Sequence, residues 1–405
     1  MTSILPFKAL RPAISLAPLV ASRPYDVLNS KEARAVAKDN AYSFLHVTKS
    51  EIDLPETTDI HSQVVYDKAN ENLQRFIQEG TLLQEEKPCY YIYQLTMNGR
   101  SQTGLVVVSS VEDYHQDRIK KHEFTRPEKE KDRIEHMHTI KAQTGNVFLA
   151  MRDVPALNLL MQAEQQRTPL YDFVAEDGIR HCIWVVDEPT SIDAITNLFR
   201  DQVPCTYIAD GHHRAASAAK VSAALPDRPE ARYFLTTIFP ASQLAIMDYN
   251  RVIKDLNGHS TASFIEKLQA DFVVAPSEKA VRPSHLHTFG MYLDGSWYRL
   301  QAKEGTYTHD PIGVLDVTIL TRCILEKLLA ITDQRTDTRI DFVGGIRGLE
   351  ELEKRVNSGE MKVAFSLYPV SIEQLFAIAD SGEVMPPKST WFEPKLRDGL
   401  LTHLL

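Results

Sequence analysis

The residues best equipped for chemistry stand together in Asp210-Gly211-His212-His213-Arg214, preceded by Thr206-Tyr207-Ile208-Ala209 and followed by an alanine-rich run to Lys220. β-forming residues before the Asp-Gly pair and strong helix formers after it predict a strand, a tight turn and a helix. His212, His213 and Arg214 then occupy a helix start, where backbone N–H groups lack intrahelical partners and the macrodipole favours negative charge. Gly211 lets backbone approach a ligand closely, and an anion would be well held. Arg214 offers a bidentate fork for phosphate or carboxylate, and either histidine can donate to a charged oxygen or carry a proton near neutral pH. An ordinary turn leading into a solvated helix start is the competing reading.

Two further polar groups could converge on that turn. One is the charged run Lys120-Lys121-His122-Glu123-Phe124-Thr125-Arg126-Pro127-Glu128-Lys129-Glu130-Lys131-Asp132-Arg133, and the other is the tail Lys388-Ser389-Thr390. Together they hold cations and hydroxyls for phosphate oxygens, carboxylates for Mg2+, and a glutamate or histidine to accept a proton, which is the inventory of phosphoryl transfer. No P-loop, G-x-G-x-x-G, G-x-S-x-G or H-E-x-x-H pattern occurs, which argues against a dinucleotide fold, a serine hydrolase and a zinc protease. His136 and His138 are two apart, so a helix sends them to different sides and a shared metal is not expected.

The elements that must position these groups are readable from pattern. Asn29 or Ser30 caps a short helix from Lys31, and residues 66–79 have amphipathic spacing closed by Gly80. Residues 40–47 look like a loop entering a strand. Asn98-Gly99 joins the β-rich Cys89–Met97 to Gly104–Val108 as a hairpin, its tyrosines filling a sheet. Thr125 and Glu128 form a capping box for a polar helix from about Arg126 toward Gly145, whose thin apolar face suits a solvated surface or the wall of a polar cleft. A helix near 155–165, a strand His181–Asp187, a helix near 191–200 and the strand to Asp210 alternate as β-α-β, predicting a partly parallel sheet with the site at a strand end.

Farther on, residues 232–239 and 244–247 read as neighbouring strands of that sheet. Asp294-Gly295 turns a second hairpin, a long apolar helix covers residues 314–329, and Ser371 with Gln374 caps a final helix ending near Gly382. The fold class expected is mixed α+β, with a central mixed sheet and helices. The expected domains are residues 1–114 with the hairpin, 115–255 with the Asp210 turn, and 256–405 as a C-terminal α+β unit.

At 405 residues, with 43% hydrophobic and 24% charged residues, the chain can bury substantial cores. A net charge of -9 argues against nucleic acid or an anionic membrane as partner. Four dispersed cysteines fit a reducing cytoplasm, and neither a signal peptide nor a membrane span is expected.

These marks resemble the DUF1015 family of ParB-like proteins: Pro24-Tyr25-Asp26-Val27, Asn40 through Val47, His122-Glu123 with Thr125 and Asp132-Arg133, Ala209-Asp210-Gly211-His212-His213-Arg214, Met385-Pro386-Pro387-Lys388 and Phe392-Glu393-Pro394-Lys395. The box at 209–214 is similar to the phosphate-binding box shared by ParB nucleotide-binding domains, sulfiredoxin and free L-serine kinases, and its wording is nearest the serine kinases.

That resemblance implies a small-molecule kinase, with free L-serine as the favoured acceptor. ADP, ATP or pyrophosphate would be the donor, with Mg2+ assisting. Glu123 matches the general base. Gly211, His212, His213 and Arg214 would bind the moving phosphoryl group, His212 and His213 acting as catalytic groups. Asp210 would help hold Mg2+, and Arg126, Lys129, Arg133 and Lys388 would meet the donor phosphates. A ParB-like nucleotide switch or DNA-associated protein, and a phosphate-ester hydrolase, are the alternatives; the absence of a helix-turn-helix speaks against DNA binding.

Overall fold

The computed structural model describes every residue of the chain except Arg126. It forms two compact units, one comprising Met1–Leu244 with Pro394–Leu405 and the other Ala245–Glu393.

The first unit is built on a nine-stranded mixed sheet. Its strands are β1 (Ile4–Leu5), β2 (Tyr90–Met97), β3 (Arg100–Ser110), β4 (Ile119–Lys120), β5 (Val147–Met151), β6 (Tyr171–Val174), β7 (Arg180–Val186), β8 (Thr206–Asp210) and β9 (Tyr233–Pro240). They lie in the order β4-β8-β5-β9-β3-β2-β7-β6, with β1 against β3. β2 and β3 are the hairpin turned by Asn98-Gly99, both residues at positive φ, and Tyr90, Tyr91 and Tyr93 are buried in the sheet. Among the described residues only β4/β8 and β5/β9 pair in parallel. The β-α-β expectation is corrected in one respect: β7 and β8 are not neighbours, four strands lying between them. β2, β3, β8 and β9 thus share one sheet across residue 114.

The longer helices of this unit are α1 (Ser30–Ala37), α2 (Gln63–Gln78), α3 (Pro127–Ile140), α4 (Pro155–Glu164), α5 (Pro189–Gln202) and α6 (His212–Ala224). Leu157 and Met161 of α4, Ile195 and Phe199 of α5, and Ala215, Ala218 and Ala219 of α6 join the strand residues in one apolar core. A second core gathers Ala69, Leu73 and Phe76 of α2 with Phe44, Val47 and Ile140. The alanine run has a structural purpose: small side chains let α3 approach closely, and Ser217 donates to the Glu130 carbonyl at 3.2 Å.

Helix α3 is accordingly no solvated surface element. It packs between α2 and α6 and buries Glu130, His136, Met137 and Ile140, the charge-rich face turning outward. His136 is buried and His138 exposed, as their spacing predicts. Another expectation fails at residues 40–47. The Asn40 side chain accepts from the Tyr42 N–H, Ser43 Oγ accepts from the Leu45 N–H, and the chain enters the helical turn Leu45–Thr48 instead of a strand.

The second unit carries a six-stranded antiparallel sheet. Its strands are β10 (Tyr249–Ile253), β11 (Phe272–Ser277), β12 (Thr288–Leu293), β13 (Ser296–Ala302), β14 (Ile340–Gly344) and β15 (Val363–Ser366), in the order β11-β13-β12-β15-β10-β14. Helices α7 (Thr261–Leu268), α8 (Asp316–Leu320), α9 (Glu350–Asn357) and α10 (Ile372–Ser381) accompany it. The Ser371/Gln374 capping box and the left-handed Gly382 bound α10 as their residue types dictate.

The long apolar helix is shorter than its pattern. It changes to π geometry over Thr321–Glu326, where Thr321 Oγ1 donates back to the Val317 carbonyl at 2.7 Å. Ile246–Met247 does not extend the first sheet. After Pro240 and the turn Ala241–Gln243 it pairs with Trp391–Phe392 within the second unit. Among the described residues no helix is long and apolar enough to cross a membrane.

Candidate functional site

Strand β8 delivers Asp210 to the turn, and Gly211 adopts φ 101°, a conformation that lets helix α6 begin at His212 with the Ala215 N–H bonded to the Gly211 carbonyl at 3.0 Å. Gly211 also makes room for its own helix. A Cβ there would stand 3.0 Å from Arg214 Nε, because the guanidinium folds back over the turn. Nη1 of Arg214 donates to the Asn146 carbonyl, and Nη2 lies 3.3 Å from Asp210 Oδ1.

The other Asp210 oxygen, Oδ2, accepts from Lys395 Nζ at 2.8 Å. Burial alone would push this carboxyl up, but Lys395 and Arg214 outweigh it and hold Asp210 well below the usual carboxylate range. Conversely, burial disfavours the Arg214 charge while Asp210 and Asp26 favour it, and its pKa rises above the ordinary arginine value.

Strand pairing explains how a distant acid reaches this corner. β4 runs parallel to β8, with Ile119 beside Thr206 and Lys120 beside Tyr207. Parallel neighbours end at the same sheet edge, so the loop after β4 emerges beside the turn after β8. Glu123 lies on that loop, half-buried, with Oε2 3.8 Å from Nδ1 of His212.

His212 is 5% exposed, and its other nitrogen, Nε2, accepts the His122 backbone N–H at 3.4 Å. A nitrogen that accepts carries no proton, so the neutral ring carries its proton on Nδ1, toward Glu123. The rings of His122 and His212 meet edge to face with centroids 4.6 Å apart. Burial, then the neighbouring His122, drives the His212 pKa well below its usual value, and burial takes His122 down to about 4. Both are neutral at pH 7. His212 can therefore donate a hydrogen bond at this corner but cannot supply the positive charge expected of it.

The remaining predicted residues divide between the corner and places away from it. His213 follows, partly exposed, with its charge felt by Glu130. Arg133 gives Nη2 and Nε to Asp132 Oδ2 at 2.6 and 2.8 Å and stacks over the Tyr25 ring at 3.9 Å. With Arg214, Tyr25 and Gly145 it lines a cavity of about 20 Å3, room for about one water. Lys129 is exposed on α3, Arg126 lies outside the described residues, and Lys388 is exposed in the second unit at φ 59°.

Three residues near the corner were given no role at the site from the sequence: His122 and Lys395, which stood only among the family marks, and Asp398. Asp398 is 2% exposed, and burial pushes its carboxyl up to about 7, with Arg214 opposing and Asp26 adding to the rise. The available signal for Lys395 was the tail motif Phe392-Glu393-Pro394-Lys395, which competes with the equally basic Lys388 next to its own proline pair.

The Mg2+ expected at Asp210 does not fit the side chains. A divalent cation needs carboxylate oxygens turned toward it, and each Asp210 oxygen faces a cation instead. Among the described residues no group of three or more His, Cys, Asp or Glu side chains is arranged to hold a metal.

No curated protein matches the sequence. Among solved structures the chain is similar to a conserved hypothetical protein from Pyrococcus furiosus, at 17% identity and TM-score 0.38, over 74% of this chain and 94% of that one. It is also similar to a free serine kinase in complex with AMP, at 14% identity and TM-score 0.37, over 73% and 92% of the two chains. A third is SbnI with C-terminal truncation from Staphylococcus aureus, at 11% identity and TM-score 0.33, over 72% and 85%. The model of one family, described as a protein of unknown function, matches residues 4–318, and the chain belongs to that family, DUF1015.

Proposed function

We propose that this protein is a phosphotransferase that moves a phosphoryl group from a nucleotide or pyrophosphate to a small hydroxyl compound, with free L-serine the favoured acceptor. The observation that carries the reading is the half-buried Glu123 carboxylate, 3.8 Å from a neutral His212 at the head of α6. A base, a set of helix N–H groups and the cations Arg214 and Lys395 then share one corner.

In this reading Glu123 takes the proton of the acceptor hydroxyl. The hydroxyl oxygen forms the new O–P bond, the bridging P–O bond of the donor breaks, and its electron pair leaves on the departing phosphate. His212, through Nδ1–H, orients the Glu123 carboxylate. The backbone N–H groups opening α6 stabilise the negative oxygens around the moving phosphorus. Arg214 acts on Asp210 and the turn.

The test is to incubate the full chain with L-serine and ATP, ADP or pyrophosphate in turn, in Mg2+-containing buffer, and follow phosphoserine by phosphorus NMR. Phosphoserine with one donor supports the reading. Its absence with every donor ends the serine-kinase form of it, and phosphate release that ignores serine points to hydrolysis at the same corner.

A further inference from the structure

The segment Pro394–Leu405 returns to the first unit and is fixed at several points. Ser22 and Asp398 exchange both backbone hydrogen bonds, at 2.9 and 3.0 Å, and Leu10 and Thr402 do the same at 2.9 Å. The Arg397 guanidinium, 2% exposed, pairs with Asp177 at 2.5 Å and Glu176 at 3.4 Å. Gly399 sits at φ +87°, and a Cβ there would come within 2.6 Å of the Phe44 ring, so backbone packs directly on that aromatic.

A strap held this firmly sets down one cation, Lys395, at the Asp210 corner. Its side chain is 21% exposed and its ammonium lies 2.8 Å from Asp210 Oδ2. Asp210 is one negative charge between two positive ones, Lys395 and Arg214, beside the first turn of α6, with Asp26 and Asp398 also acting on Arg214. Arg214 is folded over Gly211 and spends donors on Asn146 and Asp210, which leaves Lys395 as the more accessible of the two. An ammonium has three donors on a flexible stem and can bridge a carboxylate and an incoming anion.

We propose that Lys395 is an anion-binding residue of this site, its ammonium contacting oxygens of the phosphoryl donor while Asp210 holds it in place. The proposal rests on the phosphotransferase reading and adds a residue to it from far along the chain. Lys395 closes the tail mark Phe392-Glu393-Pro394-Lys395, beyond residue 318 where the stretch matched by the family model ends.

Calorimetry of the full-length protein with ADP and with pyrophosphate tests it, using Lys395→Met, Lys395→Arg and Asp210→Asn, each checked for folding by circular dichroism and thermal melting. A charge-assisted contact predicts that Lys395→Met weakens donor binding about 10-fold to 100-fold and that Lys395→Arg recovers most of it. Asp210→Asn, which loosens the anchor but keeps the ammonium and removes a negative charge, should weaken binding less than Lys395→Met does. If Lys395 served only to hold Asp210, the methionine and asparagine variants would weaken binding alike, and the proposal would be overturned. Unchanged affinity in Lys395→Met overturns it too. Should the methionine variant misfold, Lys395→Gln takes its place, and unchanged affinity there overturns the proposal. A wild-type protein that binds neither compound removes the phosphotransferase reading, and this assignment with it.

Discussion

Oε2 of Glu123 lies 3.8 Å from Nδ1 of His212, a nitrogen that bears its proton because Nε2 on the far side of the ring accepts the His122 backbone N–H. The pair couples a candidate base to a neutral donor. This differs from a histidine that contributes charge to phosphate, and the two roles separate by substitution.

Replacing His212 by asparagine leaves an N–H near the Nδ1 position, whereas glutamine reaches toward the Nε2 position and removes the donor that faces Glu123. We expect His212→Asn to keep activity within about 10-fold of wild type and His212→Gln to lose about 100-fold or more in kcat, the scale of one positioned catalytic group. The reverse order of the two variants would rule out an orienting Nδ1–H.

Gly211→Ala should be destabilising. Its φ of 101° is strained for any residue with a Cβ, and that Cβ would meet Arg214 Nε at 3.0 Å. A loss of about 1–3 kcal/mol in chemical unfolding is expected, accompanied by lower activity as the Arg214 guanidinium is pushed off the turn. Wild-type stability in this variant would mean that the corner relaxes freely.

What could be read in advance follows from the range of the interactions. The Asn98-Gly99 hairpin, the Ser371/Gln374 capping box and the Asp210-Gly211 turn are set by residues within a few positions of one another, and local chemistry names them. The approach of Glu123 to the box depends on the β4/β8 pairing, which two residues of β4 could not announce by pattern. Lys395 was harder still, because long-range packing, such as that of Asp398 on Ser22 and of Gly399 on Phe44, carries it back to Asp210. Helix α3 misled through its composition: Glu130 is buried because Lys220 pairs with it, and His136 because its Nε2 meets the Val47 carbonyl at 2.9 Å. Ile246–Met247 reads as a strand neighbouring β9 because β-propensity does not specify a partner strand.

The buried titrating groups give stability a pH dependence of two signs. His122 and His136, lowered by burial from 6.5 to about 4, are stabilising in the neutral form, so their contribution is full above pH 6.5 and is lost as pH falls toward 4. Asp398, raised by burial from 3.8 to about 7, works the other way: its contribution is full below pH 3.8 and is lost as pH rises through 7. Asp398→Asn cannot ionise. Its melting temperature relative to wild type should therefore climb from acid pH to about pH 7 and level off above it, as a series of thermal melts would read. A difference that stays constant across the series would show that Asp398 does not change charge in that window.

The most direct measurement is the steady-state turnover of Glu123→Gln beside wild type, with L-serine and whichever donor yields phosphoserine. Glutamine keeps the size and polarity of the side chain but cannot take a proton. The expected result is a fall in kcat of about 100-fold to 10,000-fold with the donor KM little changed. Turnover equal to wild type would contradict the assignment of Glu123 as the base facing the head of α6.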